Sequence, residues 1–127
     1  MELSEYLEYI DYFNSRQYDK YYTDDVVVEL PSLTLEGKAA VKEFYQHMGN
    51  YVHETVRVKK LIARENMLEA HIWSDFYCLK DWDKFPVRPV RKGDMIRVEL
   101  VVYYTLRDGL FSHIRGARVS SGSENSP

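Results

Sequence analysis

The stretch MIRVELVVYYTLRDGLFSHIR, residues 95–115, reads as two strands joined by a tight turn. Ile96, Val98, Leu100, Val102 and Tyr104 alternate against Arg97, Glu99, Val101 and Tyr103, the two-residue period of a strand with one apolar face. Arg107-Asp108-Gly109 is a hairpin signal, read as a type I turn with Gly109 in a left-handed bulge position. The last strand then runs from Leu110 to Val119. Upstream, HIWSDFYCL (residues 71–79) sits in a strand from Met67 to Lys80, and a turn at Glu65-Asn66 joins it to another strand, Val52 to Ala63. These segments make an antiparallel meander.

Before the meander the period changes. Leu3, Tyr6, Leu7, Ile10 and Phe13 recur at helical spacing and predict a helix over residues 3–14. A short second helix is expected over Gln17–Tyr22. Asp24 and Asp25 read as punctuation before the strand VVVEL, and LTLEG returns as a short strand closing at Gly37. KAAVKEFYQHM, residues 38–48, predicts a helix stopped by Gly49. Helices grouped before a strand meander define an α+β class, with helices packed into one curved sheet. One domain over residues 1–119 is expected, followed by a disordered tail, SSGSENSP, over residues 120–127.

Composition narrows the function classes. A chain of 127 residues suits one core, and 45% hydrophobic residues exclude global disorder. Net charge is −3, with basic residues scattered, which argues against a phosphate-binding face and nucleic acid as partner. Cys78 stands alone, so an internal disulfide is excluded, and the four histidines show no metal-ligand spacing. The acidic start MELSEYLEYIDYF is unlike a signal peptide, and no stretch is long enough to span a membrane, so a cytoplasmic protein is expected. Eleven tyrosines supply apolar bodies with polar tips, suited either to strand packing or to the wall of an amphiphilic pocket.

YIDYFNSRQYDKYYTDDVVVEL, EGKAAVKEFY and YTLRDGLFSHIR, in this order, resemble the nuclear transport factor 2-like superfamily, in particular its SnoaL-like members. The resemblance spans roughly residues 5–119. It implies a conical α+β barrel with the helices in the concave face of the sheet, a deep apolar cavity and a homodimer through the outer sheet face. The fold hosts isomerases, dehydratases, cyclases, epoxide hydrolases and binding modules, so chemistry rests on residues. Similarity to ketosteroid isomerase places Tyr9 on an oxyanion-hole tyrosine, while the base position falls on Leu30 and the second oxyanion acid near Val102. Similarity to limonene epoxide hydrolase places Asp75 on an acid aspartate, but its partners become Trp73 and Gly116. Similarity to scytalone dehydratase replaces an aspartate with Asn14 and leaves His53 as a loose counterpart to a pocket histidine. None of the three mechanisms carries over intact.

Through the hydrolase similarity, His71, Trp73, Asp75 and Tyr77 are expected to face the cavity with Val98, Leu100, Val102 and Tyr104 of the next strand. Ser112, Ile114, Gly116 and Arg118 follow on the last strand. Asp75, a strand carboxylate between aromatic rings, would be desolvated, its pKa raised, and so fit to act as general acid or base. The competing reading puts Asp75 in solvent and the small residues of the opposite face in the core. His71, about 13 Å along the strand, is either a second proton-transfer group or a rim histidine. Tyr9 either donates to a developing oxyanion or packs a helix flank. Phe13 and Asn14 complete the expected pocket, Asn14 alternatively capping its helix. His113 falls on the outer face. Trp82 and Phe85, in the long segment from Lys80 to Asp94, form either a lid over the cavity or a loop pinned to the surface.

Two function classes follow. One is a cofactor-free acid–base enzyme, an isomerase, dehydratase or cyclase, acting on a small apolar carbonyl or hydroxyl compound of polyketide or terpenoid type. The other is a non-catalytic small-molecule carrier or a dimerising accessory module of the same fold.

Overall fold

The apolar stripe Tyr6, Tyr9, Ile10 and Phe13 forms the buried side of the first helix, α1 (Leu3–Asn14), in a computed structural model that describes residues 1–119. The Glu5 carboxylate accepts the Glu2 backbone N–H at 3.2 Å and fixes the start of this helix. Beyond it, Arg16 adopts a φ of 66° and turns the chain. The short helix expected over Gln17–Tyr22 does not form, and Tyr22 already opens β1 (Tyr22–Glu29), with Asp24 and Asp25 inside the strand. β2 (Thr34–Glu36), α2 (Lys38–Met48), β3 (Val52–Arg64), β4 (Met67–Cys78), β5 (Met95–Arg107) and β6 (Leu110–Arg118) follow.

All six strands join one sheet in the order β2-β1-β6-β5-β4-β3. β1 runs parallel to β6 and every other pair is antiparallel, so the sheet is mixed. It stays open, with β2 and β3 as its edges, and both helices pack onto its concave side. The β5–β6 turn differs in type from the expectation. Arg107 pairs with Leu110, which leaves Asp108 (φ 55°) and Gly109 (φ 78°) as a two-residue loop. Positive φ at both loop residues makes a type I′ turn, whose twist matches that of the flanking strands.

Two bulges decide which side chains reach the interior. Val58 pairs with Ile72 and Lys60 with His71, so Lys59 is an extra residue in β3. The inward set therefore steps from Val56 and Val58 to Leu61 without losing apolar contact. On β6, Phe111 pairs with Leu106 and His113 with Thr105, leaving Ser112 extra. That insertion lets both Phe111 and Ile114 face inward, where they are buried.

The buried residues form two clusters. One gathers α1, β1 and the β5–β6 hairpin around Tyr6, Tyr9, Tyr104 and Phe111. The other gathers Met48, Val52, Phe76, Phe85, Val90 and Ile96. Among the described residues no helix is long and apolar enough to cross a membrane. The tail expected over residues 120–127 lies outside the described residues.

Candidate functional site

Directly paired residues of adjacent strands project from the same face of a sheet. Ser74 pairs with Val98, and Asp75 pairs with Arg97. Val98 is buried, so Ser74, Ile72 and Phe76 look inward and the residues between them look outward. This register overturns the expectation that His71, Trp73, Asp75 and Tyr77 line the cavity beside Val98 and Leu100. All four stand on the outer face.

Three of them have charged partners there. Asp75 Oδ1 accepts from Arg97 Nε at 2.6 Å, and its Oδ2 accepts from Arg97 Nη2 at 3.0 Å and Arg57 Nε at 3.1 Å. The Arg97 guanidinium holds the Asp75 carboxyl below the usual aspartate range, the reverse of the expected shift. His71 Nε2 meets Glu69 Oε2 at 2.8 Å. The Trp73 ring has the Arg97 guanidinium carbon 4.6 Å and the Lys59 ammonium 4.9 Å from its centre. Tyr77 is 47% exposed.

The inner faces enclose a cavity of about 170 Å³ lined from both clusters. Tyr9, Phe13, Val98, Leu100, Tyr104 and Ile114 contribute to its wall, and the exposed Arg118 stands at its margin. Phe85, with Pro86 and Val87, closes one side, its ring 5.0 Å from that of Phe76. Trp82 does not reach the cavity: it stacks on Tyr51 at 4.5 Å, and its backbone pairs with Val90. Asn14 also lies outside the lining. Its amide clamps the backbone of Val56, Oδ1 accepting from the N–H at 2.8 Å and Nδ2 donating to the C=O at 3.0 Å.

One residue that the sequence reading passed over changes the chemistry of this wall. In VHETVRV, residues 52–58, alternation puts Glu54 on the inward side between Val52 and Val56, both buried. Glu54 lines the cavity and is its one carboxylate among the described residues. Part of its surface is open, toward the space it lines, but apolar groups surround its carboxyl. Burial there pushes the Glu54 pKa up to about 7. The Ser74 hydroxyl lies near enough to oppose the shift slightly, although no partner meets full hydrogen-bond geometry with its oxygen. Ser74 thus places a fully buried hydroxyl beside a neutral-range acid and acts to lower its pKa. The charge of Glu54 is also felt by the phenols of Tyr9, Tyr18 and Tyr45, which places all three near it. A carboxyl that changes protonation near neutral pH, in a largely apolar space, can take up and return a proton to a bound molecule.

The SnoaL-like domain family matches residues 3–114. Among solved structures, a candidate polyketide cyclase from Silicibacter sp. superposes with a TM-score of 0.74 at 17% identity, covering 93% of this chain and 88% of the other. A SnoaL-like polyketide cyclase from Agrobacterium tumefaciens gives 0.68 at 16% identity, over 91% and 88% of the two chains. TerC, crystallised with polyporic acid, gives 0.72 at 16% identity, over 92% and 90%. No curated protein sequence matches this one. At such identities the superpositions speak for the fold, and the family match carries the assignment: this chain belongs to the SnoaL-like domain family.

Proposed function

We propose that this protein is a cofactor-independent acid–base catalyst for a small, mainly apolar carbonyl compound, with Glu54 as the group that moves the proton. The observation that carries this reading is the Glu54 carboxyl, set in an apolar cavity beside the Ser74 hydroxyl, where burial pushes its pKa up to about 7. As carboxylate it would take a proton from the carbon next to a carbonyl, and the electron pair of the broken C–H bond would pass into an enolate. Return of that proton to another carbon gives isomerisation, and its delivery to a departing hydroxyl gives dehydration. Attack of the enolate carbon on a second carbonyl gives cyclisation, the π pair of that carbonyl passing to its oxygen, which takes the proton back from Glu54. Proton transfer to or from such an aligned group contributes about 10²–10⁴-fold to a rate. Polyketide-like ring compounds fit this chemistry, as the names of the structural neighbours suggest.

The test is hydrogen–deuterium exchange at the carbons flanking the carbonyl of 2-indanone, followed by proton NMR. Exchange should rise with pH through a single step near 7, as Glu54 becomes the carboxylate, and Glu54→Gln should slow it by about a hundredfold or more. Equal rates in the two proteins would remove Glu54 from the reaction. Binding without exchange in wild type would make the molecule a carrier.

We also propose a homodimer through the outer sheet face, where Met67, Tyr77, Met95 and Tyr103 are 40–57% exposed. Exposed apolar side chains at both ends of one sheet face suit burial against a second copy.

A further inference from the structure

Ser74 sits on the inner face of the sheet with nothing polar directly opposite it. Its paired neighbours are Val56 on β3 and Val98 on β5, and both are buried. The diagonal neighbours are Ile96 and Leu100 on β5, and Val58 and Glu54 on β3. Diagonal partners stand about 7–8 Å apart at the backbone, a gap that a long side chain spans. Of these six side chains, Glu54 alone can accept the hydrogen of the Ser74 hydroxyl, and that hydroxyl already acts on its carboxyl. The contact falls short of full hydrogen-bond geometry. Ser74 Oγ is also closed off from the cavity that the residue borders, so it is no nucleophile for a bound molecule. A hydroxyl buried between two valines costs desolvation unless its hydrogen is used.

We infer that Ser74 is the positioning residue of Glu54: its hydroxyl donates to one carboxylate oxygen when Glu54 is ionised and turns the other oxygen toward the bound molecule. This rests on the acid–base reading of the cavity and names what aims its base. A neutral carboxyl carries its own hydrogen and needs the serine little. A carboxylate has only acceptors, and a hydrogen bond to a charged acceptor is roughly twice as strong as one between neutral groups. The loose contact therefore closes as the proton leaves, and the serine acts in the state that removes a proton from carbon. It also limits how far burial lifts the carboxyl, which keeps the transfer within reach of neutral pH. The ionisable groups facing Glu54 from other elements are the phenols of Tyr9 on α1, Tyr45 on α2 and Tyr18 between α1 and β1, with Arg16 bearing on Tyr18. All three phenols are pushed above the ordinary tyrosine range and stay neutral through this window, so a moved Glu54 titration in a Ser74 variant reads the serine.

The experiment follows the Glu54 carboxyl carbon by NMR titration, assigned with Glu54→Gln, beside the exchange of 2-indanone. Ser74→Ala should raise the midpoint of the carbon titration by about one pH unit, the size of one lost charge-assisted hydrogen bond. The exchange step should move up with it, and its high-pH plateau should fall by about tenfold because the carboxylate is no longer aimed. The half-saturating concentration of 2-indanone should stay within about twofold of wild type, since the serine does not touch the ligand. Ser74→Cys keeps the volume but offers only a weak donor, and it should behave like Ser74→Ala. An unmoved midpoint, an unchanged plateau, or wild-type behaviour in Ser74→Cys would overturn the positioning role. The two readings fail separately. If Glu54 is not the base, wild type exchanges 2-indanone no faster than Glu54→Gln while the carbon titration still moves with Ser74. If Ser74 does not hold Glu54, wild type exchanges faster than Glu54→Gln and both Ser74 variants match wild type.

Discussion

Glu54 and Asp75 are both strand carboxylates beside aromatic rings, and their surroundings drive them in opposite directions. At Glu54 burial dominates and raises the pKa from 4.5 to about 7. Between those two pH values the folded chain holds a proton that the unfolded chain has released, so stability falls as pH rises across the window and the cost is fully present above pH 7. Each pH unit of that window is about 1.4 kcal/mol. Glu54→Gln should therefore raise unfolding free energy at pH 8 by on the order of 2–3 kcal/mol and leave it near wild type at pH 4, as measured by urea unfolding. Asp75 contributes with the opposite sign. Its pKa is lowered by Arg97 and then Arg57, so its stabilisation is present above pH 3.8 and is lost as pH falls through the folded value. Asp75→Asn should cost roughly 1 kcal/mol at pH 7 and leave the affinity for 2-indanone unchanged. The sequence held signals for both residues. Glu54 interrupts the apolar side of VHETVRV, which is the mark of a buried acid. Asp75 looked buried only because Trp73 and Tyr77 flank it, and those rings are half of an exposed face. What alternation alone lacks is register: it divides β4 into two faces without saying which is inside, and the Asp75–Arg97 pair settles that.

At the scale of elements, β3 carries the site although it is an edge strand, and an edge leaves backbone groups unpaired. Asn14, at the end of α1, takes both free groups of Val56, two residues from Glu54. The expected choice between helix cap and pocket group missed this third use, because a helix-to-strand clamp is nonlocal and leaves no mark in residue spacing. Asn14→Ala should cost about 1–2 kcal/mol and speed amide exchange at Val56 selectively over the β4–β5 amides, as read by hydrogen-exchange NMR. Equal exchange at all three strands would mean that the clamp does not hold the edge. The bulges at Lys59 and Ser112 were illegible for a related reason. A single inserted residue shifts the alternation by one, and only pairing with the neighbour shows where the shift occurs. The segment from Lys80 to Asp94 was half legible. Phe85 is 5% exposed and forms part of the cavity wall, while Trp82 is held to Tyr51 and Val90, so the two aromatics serve different ends.

For the whole molecule, the order of elements and the apolar side of β5 were enough to specify a curved sheet with helices in its concavity. The cavity follows from that arrangement, since two helices cannot fill the concave side of six strands. The convex side is where a second molecule would sit. Four of the six large hydrophobic side chains that stand exposed among the described residues, Met67, Tyr77, Met95 and Tyr103, belong to it. Several of its charges are paired within the chain, Asp75 with Arg97 and Arg57, and Glu99 with Lys59 at 2.5 Å. Such pairs can stay intact beneath a contact with a second copy. Light scattering after size exclusion should give twice the 15.1 kDa chain mass at micromolar concentration. Tyr77→Glu/Met95→Glu places two carboxylates on the paired apolar residues at one end of this face and should return the chain to monomer, with 2-indanone binding preserved because both residues point away from the cavity. A wild-type monomer at concentrations near 100 µM, where even an interface of roughly 8 kcal/mol would be populated, would show that this face serves solubility instead of assembly.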